Sequence, residues 1–273
     1  MGTCSKPTRK VADPWCPGKD DDNHEIHESH ESGESGGKSS AGIPAAKGET
    51  LPRLSKPLFR YSDQPRRILD ASLWAWGDKG RPEVMANVEG YGHDQGTQWL
   101  FCIVSLSPGR VTVDPGDGDR VWTSTTAGME SRPLVGGPEP AANTTGRLRQ
   151  MKELARRFSA TITVDPNELE PNVQEMRLLP QPIHRYEDGG AASGALFGFT
   201  TNGTNPDALL AIELTSSDES APQWRYALAG MIQGGLSVKL DDAEVWAKEY
   251  QPGPTEYANW LWYFEGKRPP KPR

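Results

Sequence analysis

Two glutamates, Glu89 and Glu213, are the residues whose type and spacing point most directly to chemistry. Each closes a segment of the same pattern, Pro82-Glu-Val-Met-Ala-Asn-Val-Glu89 and Pro206-Asp-Ala-Leu-Leu-Ala-Ile-Glu213. Paired carboxylates carry general acid/base hydrolysis of glycosidic bonds, one giving a proton while the other activates water or attacks. On a strand both would point away from the apolar alternation before them, Val84, Ala86 and Val88 or Ala208, Leu210 and Ile212. Under a two-fold relation they would face each other across a cleft. The competing reading is a solvent-facing carboxylate at each strand end. A second repeated set, Arg60, Tyr61 and Asp63, returns as Arg185, Tyr186 and Asp188. An arginine beside a carboxylate at a strand end either ties a turn or binds an anion.

The five histidines are His24, His27, His30, His93 and His184. The first three are spaced three apart among Glu25, Glu28 and Glu31, so they offer weak sites for Zn, Ni or Cu. A structural or catalytic metal site needs a rigid frame, which a polar acidic segment lacks. Biased composition is the simpler account of them. His93 sits in a Gly-rich loop, and His184 aligns with Phe59, so it reads as a packing position. Cys102 lies in an apolar run and reads as a small buried hydrophobe, with a nucleophile as the alternative. Cys4 and Cys16 could pair, but three cysteines give no disulfide framework. No HExxH, P-loop or GxGxxG pattern is present, and no cofactor is expected.

The elements that must position these residues come in two matching sets, at an offset near 124. Leu54 to Asp63 matches Leu179 to Asp188, and Leu73-Trp-Ala-Trp76 matches Leu196-Phe-Gly-Phe199. Trp99-Leu-Phe101-Cys-Ile103 matches Trp224-Arg-Tyr226-Ala-Leu228. Val111-Thr-Val113 and Val121-Trp122 match Leu236-Ser-Val238 and Val245-Trp246. The blocks alternate with period two and are separated by turn residues such as Asn202-Gly203 and Pro108-Gly109. Each copy therefore reads as about five antiparallel strands. Between the copies, Leu148, Met151, Leu154, Ala155 and Phe158 recur at helical spacing opposite Arg147, Arg149, Lys152, Arg156 and Arg157. Thr144 or Thr145 can cap this helix. The basic face is either solvated or a docking face for an anionic partner. Ala160 to Val164 continues as a strand.

The expected fold class is mainly β (α+β): two duplicated antiparallel β units in a sandwich-like body, with one linking amphipathic helix. The expected layout is a disordered acidic tail over 1–50, a first β repeat over 51–140, and a linking helix and strand over 141–165. A second repeat with a closing aromatic strand spans 166–265, and a frayed basic end follows over 266–273. Tail residues such as Asp20 to Gly42 carry almost nothing to bury. The net charge of −7 argues against general nucleic-acid binding. No apolar run approaches a membrane span. The first ten residues, MGTCSKPTRK, show no apolar core of a signal peptide, which favours the cytoplasm. Met1-Gly2 opens like a myristoylation signal, but Lys6 stands where Ser or Thr is needed.

The segments Leu148 to Phe158, Met176 to Tyr186, Gly194-Ala-Leu-Phe197, Gly80-Arg-Pro82 and Val104-Ser-Leu106 resemble a family of uncharacterised planctomycete proteins. The resemblance covers most of residues 51–265. It implies a bacterial protein, implies export for many members, and carries over no activity and no site residue. The expected function is a non-catalytic binding or structural-interaction protein with a protein or carbohydrate partner. A hydrolase using Glu89 and Glu213, and metal binding by the His-rich tail, stand as alternatives.

Overall fold

The computed structural model describes residues 9–12, 50–77, 80–93, 96–114, 121–164, 172–188, 192–217, 220–251, 255–256 and 259–265. His24, His27, His30, Cys4, Cys16 and residues 266–273 lie outside them. Strand β1 (Arg9–Ala12) precedes a first unit made of β2 (Phe59–Asp63), β3 (Ile68–Trp76), β4 (Val84–His93), β5 (Gly96–Ser105), β6 (Val111–Asp114) and β7 (Trp122–Thr123). Then come β8 (Arg132–Pro133), helix α1 (Thr144–Ala155), β9 (Phe158–Thr163) and β10 (Val173–Leu178). The second unit is β11 (His184–Asp188), β12 (Ala192–Thr200), β13 (Ala208–Ser217), β14 (Ser220–Gly230), β15 (Gly235–Leu240) and β16 (Ala243–Lys248). β17 (Thr255–Glu256) and β18 (Trp260–Glu265) close the chain. The protein is mainly β, antiparallel and sandwich-like, with one helix among the described residues.

The two units run in the same order. In each, the first four strands form an antiparallel meander, β2–β3–β4–β5 and β11–β12–β13–β14. The last two strands of each unit pair with each other and with an added strand. In the first unit that strand is β1, parallel to β6; in the second it is β9, antiparallel to β15. The segments after each unit cross over: β8 pairs with β14, and β18 pairs with β5. The aromatic end of the chain thus completes the sheet of the first unit. It does not extend the second, to which its place in the sequence would assign it.

Period-two alternation explains the layers. On β4, Val84, Ala86 and Val88 pack with Val11, Val111, Val113 and Trp122 of the small sheet. The alternate residue Met85 packs against the second unit, with Leu73, Ala75, Cys102 and Val104 on one side and Leu196, Leu209, Ala211, Ala227 and Ala229 on the other. On β13, Ala208, Leu210, Ile212 and Leu214 face Met151, Leu154, Ala155, Phe158 and Val238. Both meanders are therefore buried on both faces, and residues opposite the apolar alternation point into a second core.

Three expectations change. Arg9–Ala12, inside the stretch read as disordered, form β1, and Val11 is buried. Asn143, not a threonine, caps the helix, its Oδ1 accepting from Gly146 N at 2.7 Å. Phe158 starts β9 after the helix ends at Ala155. Its helical spacing in the sequence was fortuitous, because a core-facing first strand residue needs the same chemistry as a core-facing helix residue.

Candidate functional site

Glu89 and Glu213 occupy the same place in the two units, on β4 and β13, in phase with Met85 and Leu209. That phase puts them in the core between the units. They are 4% and 8% exposed, so the solvent-facing reading is overturned. A buried carboxylate has to be hydrogen-bonded. One part of the solution is shared. Tyr61 of β2 donates its hydroxyl to Glu89 Oε1, and Tyr186 of β11 donates to Glu213 Oε1 at 2.8 Å. Burial, and then the neighbouring carboxylate, push both tyrosine hydroxyls well above the usual range.

The remaining partners differ. Glu213 Oε2 accepts from Arg81 Nη1 at 3.2 Å, and the two side chains are 13% and 11% exposed. Arg81 comes from the β3–β4 connection of the first unit, so this ion pair ties the units together. The residue at the corresponding place in the second unit is Asn205. Glu89 accepts from Asn87 Nδ2 at 3.0 Å and from Tyr91 hydroxyl at 2.6 Å. Ala211 and Thr215 stand at those positions on β13, so Glu213 has neither partner.

Glu89 opens onto a cavity of about 470 Å³ between the units. β4 contributes Asn87, Glu89 and Tyr91, and β5 contributes Cys102. The β12–β13 connection adds Asn202, Asn205 and Asp207, and the β14–β15 turn adds Gln233. Trp260 from the crossing-over strand β18 and Arg66 complete the polar and aromatic lining. Arg66 is fixed by Asp63 at 2.6 Å and also donates to Thr204 of the second unit. Asp207 is buried and accepts from Thr201 N at 2.8 Å and Thr201 Oγ1 at 2.9 Å. Burial pushes its carboxyl above the usual range against the lowering effect of those bonds. Glu213 is not among the cavity's lining residues.

Cys102 donates to Met231 O at 3.2 Å, and burial, then the charge of Glu89, push its thiol up to about 12. A thiol so poorly ionised is a packing group and not a nucleophile. Lys248 sits behind the cavity wall. Its Nζ donates to Ile232 O at 2.7 Å, Gly234 O at 3.3 Å and Gln233 O at 3.4 Å, and lies 5.1 Å from the Trp260 ring centroid.

Of the other sequence candidates, His93 is exposed at the end of β4 and outside this cavity. His184 stacks on Tyr186 at 6.1 Å between centroids, as Phe59 packs on Tyr61 at 5.8 Å, which matches its packing role. Arg60 pairs with Asp70 at 2.8 Å across the β2–β3 hairpin. Among the described residues no group of three His, Cys, Asp or Glu side chains is arranged to hold a metal ion, and no helix is long and apolar enough to cross a membrane. Asn87, Tyr91, Asn205 and Asp207 were missed by sequence reasoning. The aligned copies carried a signal for Asn87, which is in phase with the shared Glu and aligns with Ala211; Tyr91, Asn205 and Asp207 align with Thr215, Arg81 and Glu83, polar in both copies.

The fold and site define a two-unit, mainly β protein with a polar cavity between the units. Comparison with protein-family models, with curated proteins and with solved structures finds no match.

Proposed function

We propose that this is a non-catalytic binding protein whose two units arose by duplication of one strand meander. In this reading the inter-unit cavity takes a small hydroxyl-rich ligand of about the size of a sugar. The observation that carries it is the asymmetry of the two buried glutamates. Glu213 is sealed by Arg81, while Glu89 is held by neutral donors beside open space of ligand size. Side-chain amides, carboxylates and aromatic rings drawn from several elements match the alternating donors, acceptors and C–H faces of a polyol. An isothermal titration of the full chain against monosaccharides, disaccharides and linear polyols tests this. A ligand of this class should bind, and Asn205→Ala and Tyr91→Phe should each weaken it by about tenfold, the worth of one or two buried hydrogen bonds. No binding across the panel, or binding indifferent to both variants, would end the reading.

A second reading is favoured by one observation: Glu89 and Asp207, from different units, line the same cavity. A burial-raised Asp207 would serve as proton donor to a glycosidic oxygen while Glu89 acts as the base or nucleophile. This replaces the Glu89–Glu213 pair, since Glu213 is engaged with Arg81 and Tyr186. Turnover of aryl glycosides that is lost in Asp207→Asn would favour it; binding without turnover favours the first.

A further inference from the structure

A second cavity, of about 570 Å³, lies where helix α1 crosses β11 and β12 of the second unit. Its floor is apolar, built from Leu148, Met151 and Ile183, and Arg147, His184 and Arg185 also line it. Most basic residues of the helix region are already engaged: Arg149 with Glu153 at 3.2 Å, Arg157 with Asp241, and Lys152 with Gln181. The two arginines of the cavity are different. Arg147 makes one long bond to Thr144 Oγ1 at 3.4 Å, and its buried Nε finds no partner among the described residues.

Arg185 is best understood through its counterpart. Arg60 stands opposite Ser72 on β3, and Arg185 stands opposite Ala195 on β12. Two residues before Ser72 is Asp70, which takes the Arg60 guanidinium at 2.8 Å. Two residues before Ala195 is Ser193, which lines the cavity. The first unit thus supplies its arginine with an anion from its own chain, and the second unit has a neutral hydroxyl in that place. The α1 amides are not the attraction, because Asn143 already accepts from Gly146 N and Arg147 N. One carboxylate, Glu187, lines the cavity, and Thr144 Oγ1 faces it at 3.4 Å.

We propose that this cavity binds a small organic oxyanion. Arg147 and Arg185 hold its phosphate or carboxylate head where the first unit has Asp70, and its apolar body rests on Leu148, Met151 and Ile183. Planar guanidinium groups bind such heads through paired, charge-assisted hydrogen bonds. The site stands independently of the inter-unit cavity and shares no lining residue with it.

The test is calorimetric titration of the full chain with phenyl phosphate, benzoate and phenol, with circular dichroism as the control for folding. Phenyl phosphate or benzoate should bind and phenol should not; the tighter of the two anions assigns the head as phosphate ester or carboxylate. Arg185→Ala and Arg147→Ala should each lower affinity by about tenfold, the usual worth of one charge-assisted contact. The most telling variant is Ser193→Asp, which gives Arg185 the partner that Arg60 has. It should fold as the parent does and lose the anion. Phenol binding as well as phenyl phosphate, no binding of either anion, or anion binding unchanged in Ser193→Asp and both arginine variants would each overturn the proposal.

Discussion

Glu213 is closed by an arginine reaching over from the other unit, while Glu89, at the matching place, has three neutral hydrogen-bond donors and a cavity beside it. The shared part, a tyrosine hydroxyl from the edge strand, solves the folding problem that any buried carboxylate poses. The unshared part decides what each site can do. Where Arg81 fills the space, the carboxylate becomes an interface tie. Where Asn205 stands instead, room remains for a ligand. The largest expected effect follows from this. Arg81→Met strips a buried carboxylate of its cation and should cost about 3–5 kcal/mol in urea denaturation, the range for breaking one side of a buried pair. Asn205→Ala should cost about 1 kcal/mol or less, since it removes no charge partner, while impairing ligand binding. Equal losses in the two variants would dissolve the comparison.

The seating of the tyrosines sharpens it. Tyr186 lies opposite Gly194, and a Cβ there would come 2.4 Å from the ring; Tyr61 lies opposite Ala71 and tolerates it. Gly194→Ala must displace the ring, and with it the hydroxyl from Glu213, at a cost of about 1–3 kcal/mol typical of overpacking. Ala71→Gly should cost about 1 kcal/mol, from chain entropy and lost β propensity. Removing the hydroxyls alone asks a finer question. Tyr186→Phe should cost about 2 kcal/mol, because Glu213 keeps a single partner, Arg81. Tyr61→Phe should cost about 1 kcal/mol, because Glu89 keeps Asn87 and Tyr91. A reversed order in thermal or urea unfolding would show that donor count does not govern these sites.

The mainly β character, the strand periodicity and the turn positions were legible because each rests on local rules: alternation, turn residues and repeated spacing. The burial of Glu89 and Glu213 was not. Alternation says only that they oppose Val88 and Ile212. It does not say that a second sheet covers that side, because the apolar stripe on those two strands is short: Met85 on β4, Leu209 and Ala211 on β13. Two facts set the burial, namely that the units stack on the faces that carry these glutamates and that each later segment crosses to the other sheet. The crossing brings Trp260 to the cavity, and β8, only two residues long, gave no sequence signal at all. The role of β1 was hidden for a similar reason. In this four-residue strand Val11 is buried, a signal that composition averages over the tail erase.

A pH-dependent contrast concerns the wall behind the cavity, where the units differ again. Ser124 and Lys248 stand at matching positions, opposite Val111 and Leu236. Ser124 Oγ accepts from Val111 N at 2.9 Å, whereas Lys248 gathers the carbonyls of Ile232, Gln233 and Gly234. Burial holds the Lys248 ammonium down at about 8, against an ordinary value of 10.5. In the unfolded chain the lysine regains its ordinary value. Between about pH 8 and 10.5 the unfolded chain therefore binds more protons than the folded one, and stability attributable to Lys248 rises with pH. Below pH 8 both states are charged and the cost of burying the ammonium is felt in full. The stability of the parent relative to Lys248→Met, taken from urea midpoints at a series of pH values, should climb across that window and be flat on either side. The same series on Ser124→Ala should show no such climb, since serine does not titrate. A flat Lys248→Met difference from pH 7 to 10.5 would mean that the backbone carbonyls around the ammonium offset the burial cost, leaving the lysine as a neutral counterpart of Ser124 in the pH dependence of folding.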